Sequence, residues 1–208
     1  MAKPEIFVHH GDLPAEVVFK GSVAVDTEAM GLNPHRDRLC VVQLSQGDGT
    51  AHVVQLNTNL EYDCPNLKQL FADSEIVKIF HYARFDVAII YQYLGVLCTP
   101  IYCTKIASKL TRNFTSRHGL KNLCSELIEV EISKQSQGSD WGALKLTPEQ
   151  IAYAASDVLY LHRLKDKLDE LLEREKRQEI ANKCFDFLPT AAQLDLLGYE
   201  ELNVFAHS

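Results

Sequence analysis

The amino-acid sequence predicts an α/β domain built on a mixed sheet with helices on both faces. Three observations carry that expectation. Short β-rich runs fill the chain up to Leu56, apolar residues recur at helical spacing from Ala83 onward, and no Gly/Ser/Pro-rich linker or repeat divides the sequence. The 208 residues are therefore read as one domain, 1–208, long enough to bury a substantial core.

Residues 22–27 (SVAVDT) read as the first strand after Gly21, and 33–37 (NPHRD) as a polar turn. The run 39–45 (LCVVQLS) is β-rich, and Gly47-Asp48-Gly49 forms a hairpin turn into a strand over 51–56, giving an antiparallel three-stranded start. A short helix is expected over 65–72, with Leu67, Leu70 and Phe71 on one side, then a strand over 76–81. Phe85, Ala88 and Ile89 recur at helical spacing up to Gly95. Residues 98–103 read as extended, 105–110 and 120–127 as two helices, and 133–142 (SKQSQGSDWG) as a loop. Thr147-Pro148-Glu149-Gln150 is a capping box with Pro at N1; the helix it starts runs through Tyr153 and Asp157 and keeps its apolar spacing toward Arg174. A last helix to about Phe187 precedes an apolar tail.

No window approaches 18 consecutive apolar residues, so no membrane-spanning helix is expected. The opening MAKPEIFVHHGD has neither a cationic nor an apolar leader segment and reads as mature cytoplasmic protein. Six cysteines without a C-x-x-C pair read as reduced core thiols, and Cys98 and Cys103 are not taken as ligands. A net charge of −7 argues against long nucleic acid as the preferred ligand, because such affinity needs a large basic surface. Residues 104–125 nevertheless carry Lys105, Lys109, Arg112, Arg117, His118 and Lys121 with no acid among them. That segment reads either as a site for a small anion or as a solvated helix face.

The acids are the informative residues. Val23-Ala24-Val25-Asp26-Thr27-Glu28 leads into two carboxylates on one strand face, about 7 Å apart, which repel unless a cation sits between them. Asp86 falls in the first turn of the helix that follows 76–81. Tyr153 and Asp157 share one helical face at i and i+4, and Asp157 interrupts an apolar run, so it needs an arginine, a backbone amide or a metal as partner.

The three stretches together, DTE at 26–28, FD at 85–86 after His81, and Y-x-x-x-D at 153–157, resemble the DEDD 3′–5′ exonucleases. Tyr153 places the resemblance in the tyrosine (DEDDy) subclass that includes ribonuclease D. The further runs 39–45, 108–120 and 194–208 look most like the nano-RNase C (NrnC) group of diribonucleotidases. One departure is Tyr82, where many members of the family have Asn after the histidine.

The resemblance implies a ribonuclease H-like fold with five or six strands and a catalytic set of Asp26, Glu28, Asp86, Tyr153 and Asp157. It also implies two Mg²⁺ or Mn²⁺ ions held by the four carboxylates, about 4 Å apart, clamping an in-line displacement that releases 5′-nucleoside monophosphates. Tyr153 then orients the attacking water, since a phenol with a pKa of about 10 is a poor base at neutral pH. By the same resemblance, Leu32 is either a wedge between terminal bases or a core leucine. Arg117 and His118 are phosphate ligands beside Gly119-Leu120, and Lys105, Lys109 and Arg112 either hold a 5′-phosphate or are simply solvated. Trp141 is either a base stacker or a packing anchor, and His81 is a packed strand-end histidine rather than a catalytic base. The expected activity is cleavage of very short RNA, dinucleotides above all, by a homo-oligomer for which the resemblance implies an octameric ring, its contacts drawing on the apolar tail. The rivals are ribonuclease D-like trimming of longer RNA or DNA ends and, in a different class, a non-catalytic RNA-binding module.

Overall fold

A computed structural model describes residues 4–57, 62–132 and 138–199, together with 204 and 206. Six strands form one mixed sheet: β1 (Glu5–His10), β2 (Ser22–Ala29), β3 (Leu39–Ser45), β4 (Thr50–Gln55), β5 (Val77–Phe80) and β6 (Ile101–Cys103). Their order across the sheet is β1-β4-β3-β2-β5-β6. The β2–β3–β4 meander is antiparallel as expected, whereas β1 joins β4, and β5 joins both β2 and β6, in parallel. Gly47 and Gly49, at φ 83° and 94°, take the positive φ that the turn between β3 and β4 requires. Every residue of β3 is buried, so both faces of the sheet are covered at its centre.

The helices are α1 (Pro65–Ala72), α2 (Ala83–Leu94), α3 (Thr104–Thr111), α4 (Leu120–Ile128), α5 (Pro148–Leu159), α6 (Leu161–Arg174) and α7 (Gln178–Leu194), followed by a π-type turn at Asp195–Tyr199. α2 is the crossover between the parallel strands β5 and β6. Gly95 at φ 70° ends it in the left-handed conformation common at helix C-termini. The expected capping box at the start of α5 is present: the Gln150 amide donates to Thr147 Oγ1 at 3.2 Å, and the Thr147 amide donates to Gln150 Oε1 at 2.9 Å.

Three elements differ from expectation. β1 falls in a stretch without period-two burial, because it is an edge strand half open to solvent. The helical run from Pro148 toward Arg174 is two helices, not one. Tyr160, at φ −111° and ψ −3°, breaks it, so that α5 packs on β1 to β4 while α6 turns away to pack on α3 and α4. α7 continues past Phe187 to Leu194 with Pro189 inside it. Of the expected 133–142 loop, residues 133–137 lie outside the described residues, as does Phe205 of the apolar tail. The six cysteines are free, five of them buried. No helix among the described residues is long and apolar enough to cross a membrane.

Candidate active site

β2 is an inner strand, and Val23, Ala24 and Val25 anchor it in the core before it delivers its acids. Its pairing with β3 sets Asp26 opposite Gln43 and Glu28 opposite Val41, then slips between Glu28 and Ala29. A register slip of this kind ends regular pairing and lets the chain leave the sheet. Asp26 and Glu28 point to one face, the face on which α5 brings Asp157. Ligand atoms of Asp26, Glu28 and Asp157 all lie within 4.8 Å of one another.

Asp86 arrives differently. Thr27, between the two acids, points to the opposite side of the strand, and its hydroxyl donates to Asp86 Oδ1 at 2.6 Å. Asp86 lines the same pocket, but it lies outside the tight three-residue group and is held by Thr27 at the start of α2. Nothing in the run of side-chain types singled out Thr27; only the pairing of two acid-bearing segments exposes its part.

Burial is the largest influence on these carboxyls, and the neighbouring charges act in the same direction. It pushes Asp26 well above the usual carboxylate range, and the charges that add to it are all carboxylates: Asp86, Asp157 and Glu28. Glu28 is pushed up to about 8 by burial, then by Asp157 and Asp86. Asp86 rises to about 7 through burial, against hydrogen bonds from Thr27 and backbone amides that pull it down. A group of acids that each raise the others' pKa, with no cation among the influences on Asp26 or Glu28, is suited to a bound cation. All the donors are carboxylate oxygens, which fit Mg²⁺ or Mn²⁺.

Tyr153 hydrogen-bonds to Asp157, which supplies the partner that its apolar helix demanded. Burial first, then Asp157, Glu28 and Asp26, raise the phenol far above its ordinary value, so it keeps its proton. Behind it the Trp141 ring lies 6.1 Å away, centroid to centroid. Trp141 is only 4 % exposed, which makes it a packing anchor for Tyr153.

The pocket around these groups has a volume of about 800 Å³. Leu32 stands at its edge 86 % exposed, so the core-leucine alternative is excluded. The turn that presents it depends on Gly31, where a Cβ would come within 2.2 Å of Asp37 Oδ2. Asp37 in turn accepts from the Asn33 amide at 3.0 Å and from the Arg36 guanidinium, which holds its carboxyl down at about 2. The far wall contains Arg84, paired with Asp195 from the turn after α7; that contact joins segments over a hundred positions apart, and no local pattern announces it.

The basic segment is arranged otherwise. Lys105 Nζ sits 4.1 Å above the ring of Tyr82, an exposed pocket residue at φ 72°. Lys109, Arg117 and His118 are not among the residues that line the pocket within one chain. Arg117 pairs with Glu126 at 2.8 Å, and His118 Nδ1 lies 2.9 Å from Ser108 Oγ. Arg112 is buried against Glu126, Ser108 and the Arg117 carbonyl, so it is not a solvated side chain. Arg112 and Arg117 face α4 because Glu126, the acid that follows the segment, pairs with both.

Comparisons with known proteins agree with this geometry. A family model described as a 3′–5′ exonuclease, of the type found in family A DNA polymerases, matches residues 12–173. Ribonuclease D of Gluconacetobacter diazotrophicus is 37% identical over 155 residues, 74% of this chain and 39% of that protein, so the chain spans less than half the length of this curated relative. Among solved structures, Brucella melitensis NrnC bound to pGG is 55% identical with a TM-score of 0.95, covering 99% of this chain and 100% of that one. The same protein with bound Mg²⁺ superposes with a TM-score of 0.93 at 54% identity, covering 98% of this chain and 100% of that one. The sheet and its helices are accordingly ribonuclease H-like, and the chain belongs to the DEDD 3′–5′ exonucleases, in their NrnC-like branch.

Proposed function

We propose that this protein is a divalent-metal-dependent 3′–5′ exoribonuclease acting on very short RNA, dinucleotides above all, and releasing 5′-nucleoside monophosphates. The observation that carries the reading is the convergence of Asp26, Glu28 and Asp157 within 4.8 Å at a pocket that Tyr153 and Asp86 share. Those three carboxylates would hold the metal, with Asp86 beside them as a further oxygen donor. Two ions, when bound, supply charge neutralisation and water activation for displacement at phosphorus.

The remaining roles follow from the protein's own groups. Tyr153 keeps its proton and therefore orients by donating a hydrogen bond rather than by acting as base. Leu32 offers an exposed apolar edge at the pocket mouth for a terminal base. Lys105, over Tyr82, is the basic-segment residue near enough to the pocket rim to meet a substrate phosphate. Support for a short substrate comes from the pocket volume of about 800 Å³, in the range of sites that enclose one small ligand, and from the pGG bound by the Brucella protein.

We place the enzyme, read as one nuclease domain, in the cytoplasm, in keeping with free and mostly buried thiols. We also assign it a homo-oligomeric state, an octameric ring, with contacts through the exposed Ile180, Leu197 and Tyr199. Light scattering on purified protein tests that assignment, and a monomer at micromolar concentration would remove it. The substrate is tested by comparing turnover of a 5′-labelled ribodinucleotide with that of a 10-mer in Mg²⁺ or Mn²⁺. Faster cleavage of the dinucleotide is expected; equal or faster cleavage of the 10-mer would favour trimming of longer ends.

A further inference from the structure

His81 follows the last residue of β5 and lines the pocket, yet the carboxylate chemistry makes no use of it. Its Nδ1 lies 2.9 Å from Thr104 Oγ1. That hydroxyl already donates its proton to the Phe80 carbonyl at 3.1 Å. A hydroxyl has one hydrogen to give, so toward the imidazole Oγ1 can only accept, and the ring proton must sit on Nδ1. Burial, reinforced by the Lys105 ammonium, holds the His81 pKa down at about 3, so no second proton is bound at neutral pH. Nε2 is left as a lone pair with no hydrogen-bond partner among the described residues, and it is not among the side-chain atoms closed off from solvent. This is a neutral acceptor of fixed tautomer on the wall of the acid-bearing pocket.

An acceptor rejects phosphate oxygens, which carry no proton at neutral pH, and selects N–H or O–H groups. A dinucleotide presents two kinds, base N–H and sugar hydroxyl. β2 and β5 run parallel with Ala24 opposite Ile79, and His81, the residue after β5, lines the same pocket as Asp26 and Asp86. The reacting phosphorus belongs at the carboxylates, and the donor adjacent to it is the 2′-hydroxyl next to the leaving 3′-oxygen. Base N–H groups lie farther out by the width of the sugar. We infer that His81 is a specificity-determining residue for ribose, its Nε2 accepting a hydrogen bond from the 2′-hydroxyl of the 5′ nucleotide, with Thr104 as the residue that positions the ring. This rests on the nuclease reading above and adds the feature by which that site tells RNA from DNA.

The test uses a 5′-phosphorylated guanosine dinucleotide and its counterpart lacking only the 2′-hydroxyl of the 5′ nucleotide, with kcat/KM measured in Mg²⁺. The wild-type chain is expected to prefer the ribose form by about 3- to 10-fold, the value of one hydrogen bond. His81→Leu should bring that ratio to about 1, chiefly by slowing the ribose substrate. Thr104→Val should lower the ratio part of the way, and Thr104→Ser, which keeps the hydroxyl, should restore it. Long-range ¹H–¹⁵N spectra of the wild-type chain should show His81 protonated at Nδ1. An Nε2–H tautomer or an imidazolium would overturn the inference, whether or not His81→Leu folds. So would a folded His81→Leu or Thr104→Val protein with the wild-type ratio, or a wild-type ratio of about 1. Cleavage of both substrates with an unchanged ratio sinks this inference alone, whereas cleavage of neither sinks the nuclease reading with it.

Discussion

The acids of β2 and α5 and the cations of α3 and α4 are both dense clusters of like charge, and the fold treats them in opposite ways. Asp26, Glu28 and Asp157 are drawn together from two distant segments, and the charges that act on Asp26 and Glu28 only make matters worse. Arg112, Arg117 and His118 are each met at once by a partner from the same pair of helices: Glu126, Ser108 or a carbonyl. Charge neutralised locally holds a structure together, while charge gathered and left in mutual repulsion awaits something from outside. The first pattern makes α3 and α4 a clamp, and the second makes the β2–α5 junction a site.

The contrast breaks most visibly at Asp26. Asp26→Asn should cut dinucleotide turnover by at least about 1000-fold, since the lost ligand belongs to the reacting centre. The metal-free variant should melt at or above the wild-type temperature, because one repelling carboxyl is gone; labelled-dinucleotide assays and thermal melts read the two effects. Arg112→Met should do the converse. It leaves Glu126 half-paired and the Arg117 carbonyl without a donor, for a loss of about 2–3 kcal/mol in denaturant titration. Turnover per folded molecule should stay within about two-fold, because Arg112 does not line the pocket.

A smaller effect sharpens the comparison through pH. Glu28 and Asp86, raised to about 8 and about 7, keep protons in the folded protein that the unfolded chain, with carboxylates of about 4, has already released. The folded state binds more protons between those limits, so metal-free stability falls as pH rises from about 4 to about 8. Adding Mg²⁺ should therefore raise the melting temperature more at pH 8 than at pH 5, and an equal rise at both would contradict a carboxylate metal site. The smallest effect is expected at the exposed end of the clamp. Arg117→Ala should cost less than about 1 kcal/mol and change kcat/KM by less than about two-fold; a ten-fold loss would return Arg117 to the substrate site.

Much of this was legible in the sequence where the deciding forces are local. The Thr147–Gln150 box announced α5 because capping acts over three residues, and the i, i+4 spacing of Tyr153 and Asp157 foretold a contact that the fold keeps as a hydrogen bond. Strand alternation alone puts Asp26 and Glu28 on one face. β1 was illegible because an edge strand needs only one paired side and leaves no burial rhythm, and the break at Tyr160 was hidden because apolar spacing runs through it unchanged.

Which side chains are available, their order, and the helix or strand face each occupies all follow from the order of residues and backbone periodicity. Which charges meet is a matter of packing between distant segments. That packing tied Asp86 to Thr27 instead of into the tight carboxylate group, turned Leu32 out to the pocket edge, and folded Glu126 back onto the arginines. Electrostatic roles depend on distance and burial, and both are set by how separate segments pack, which no spacing along the chain encodes.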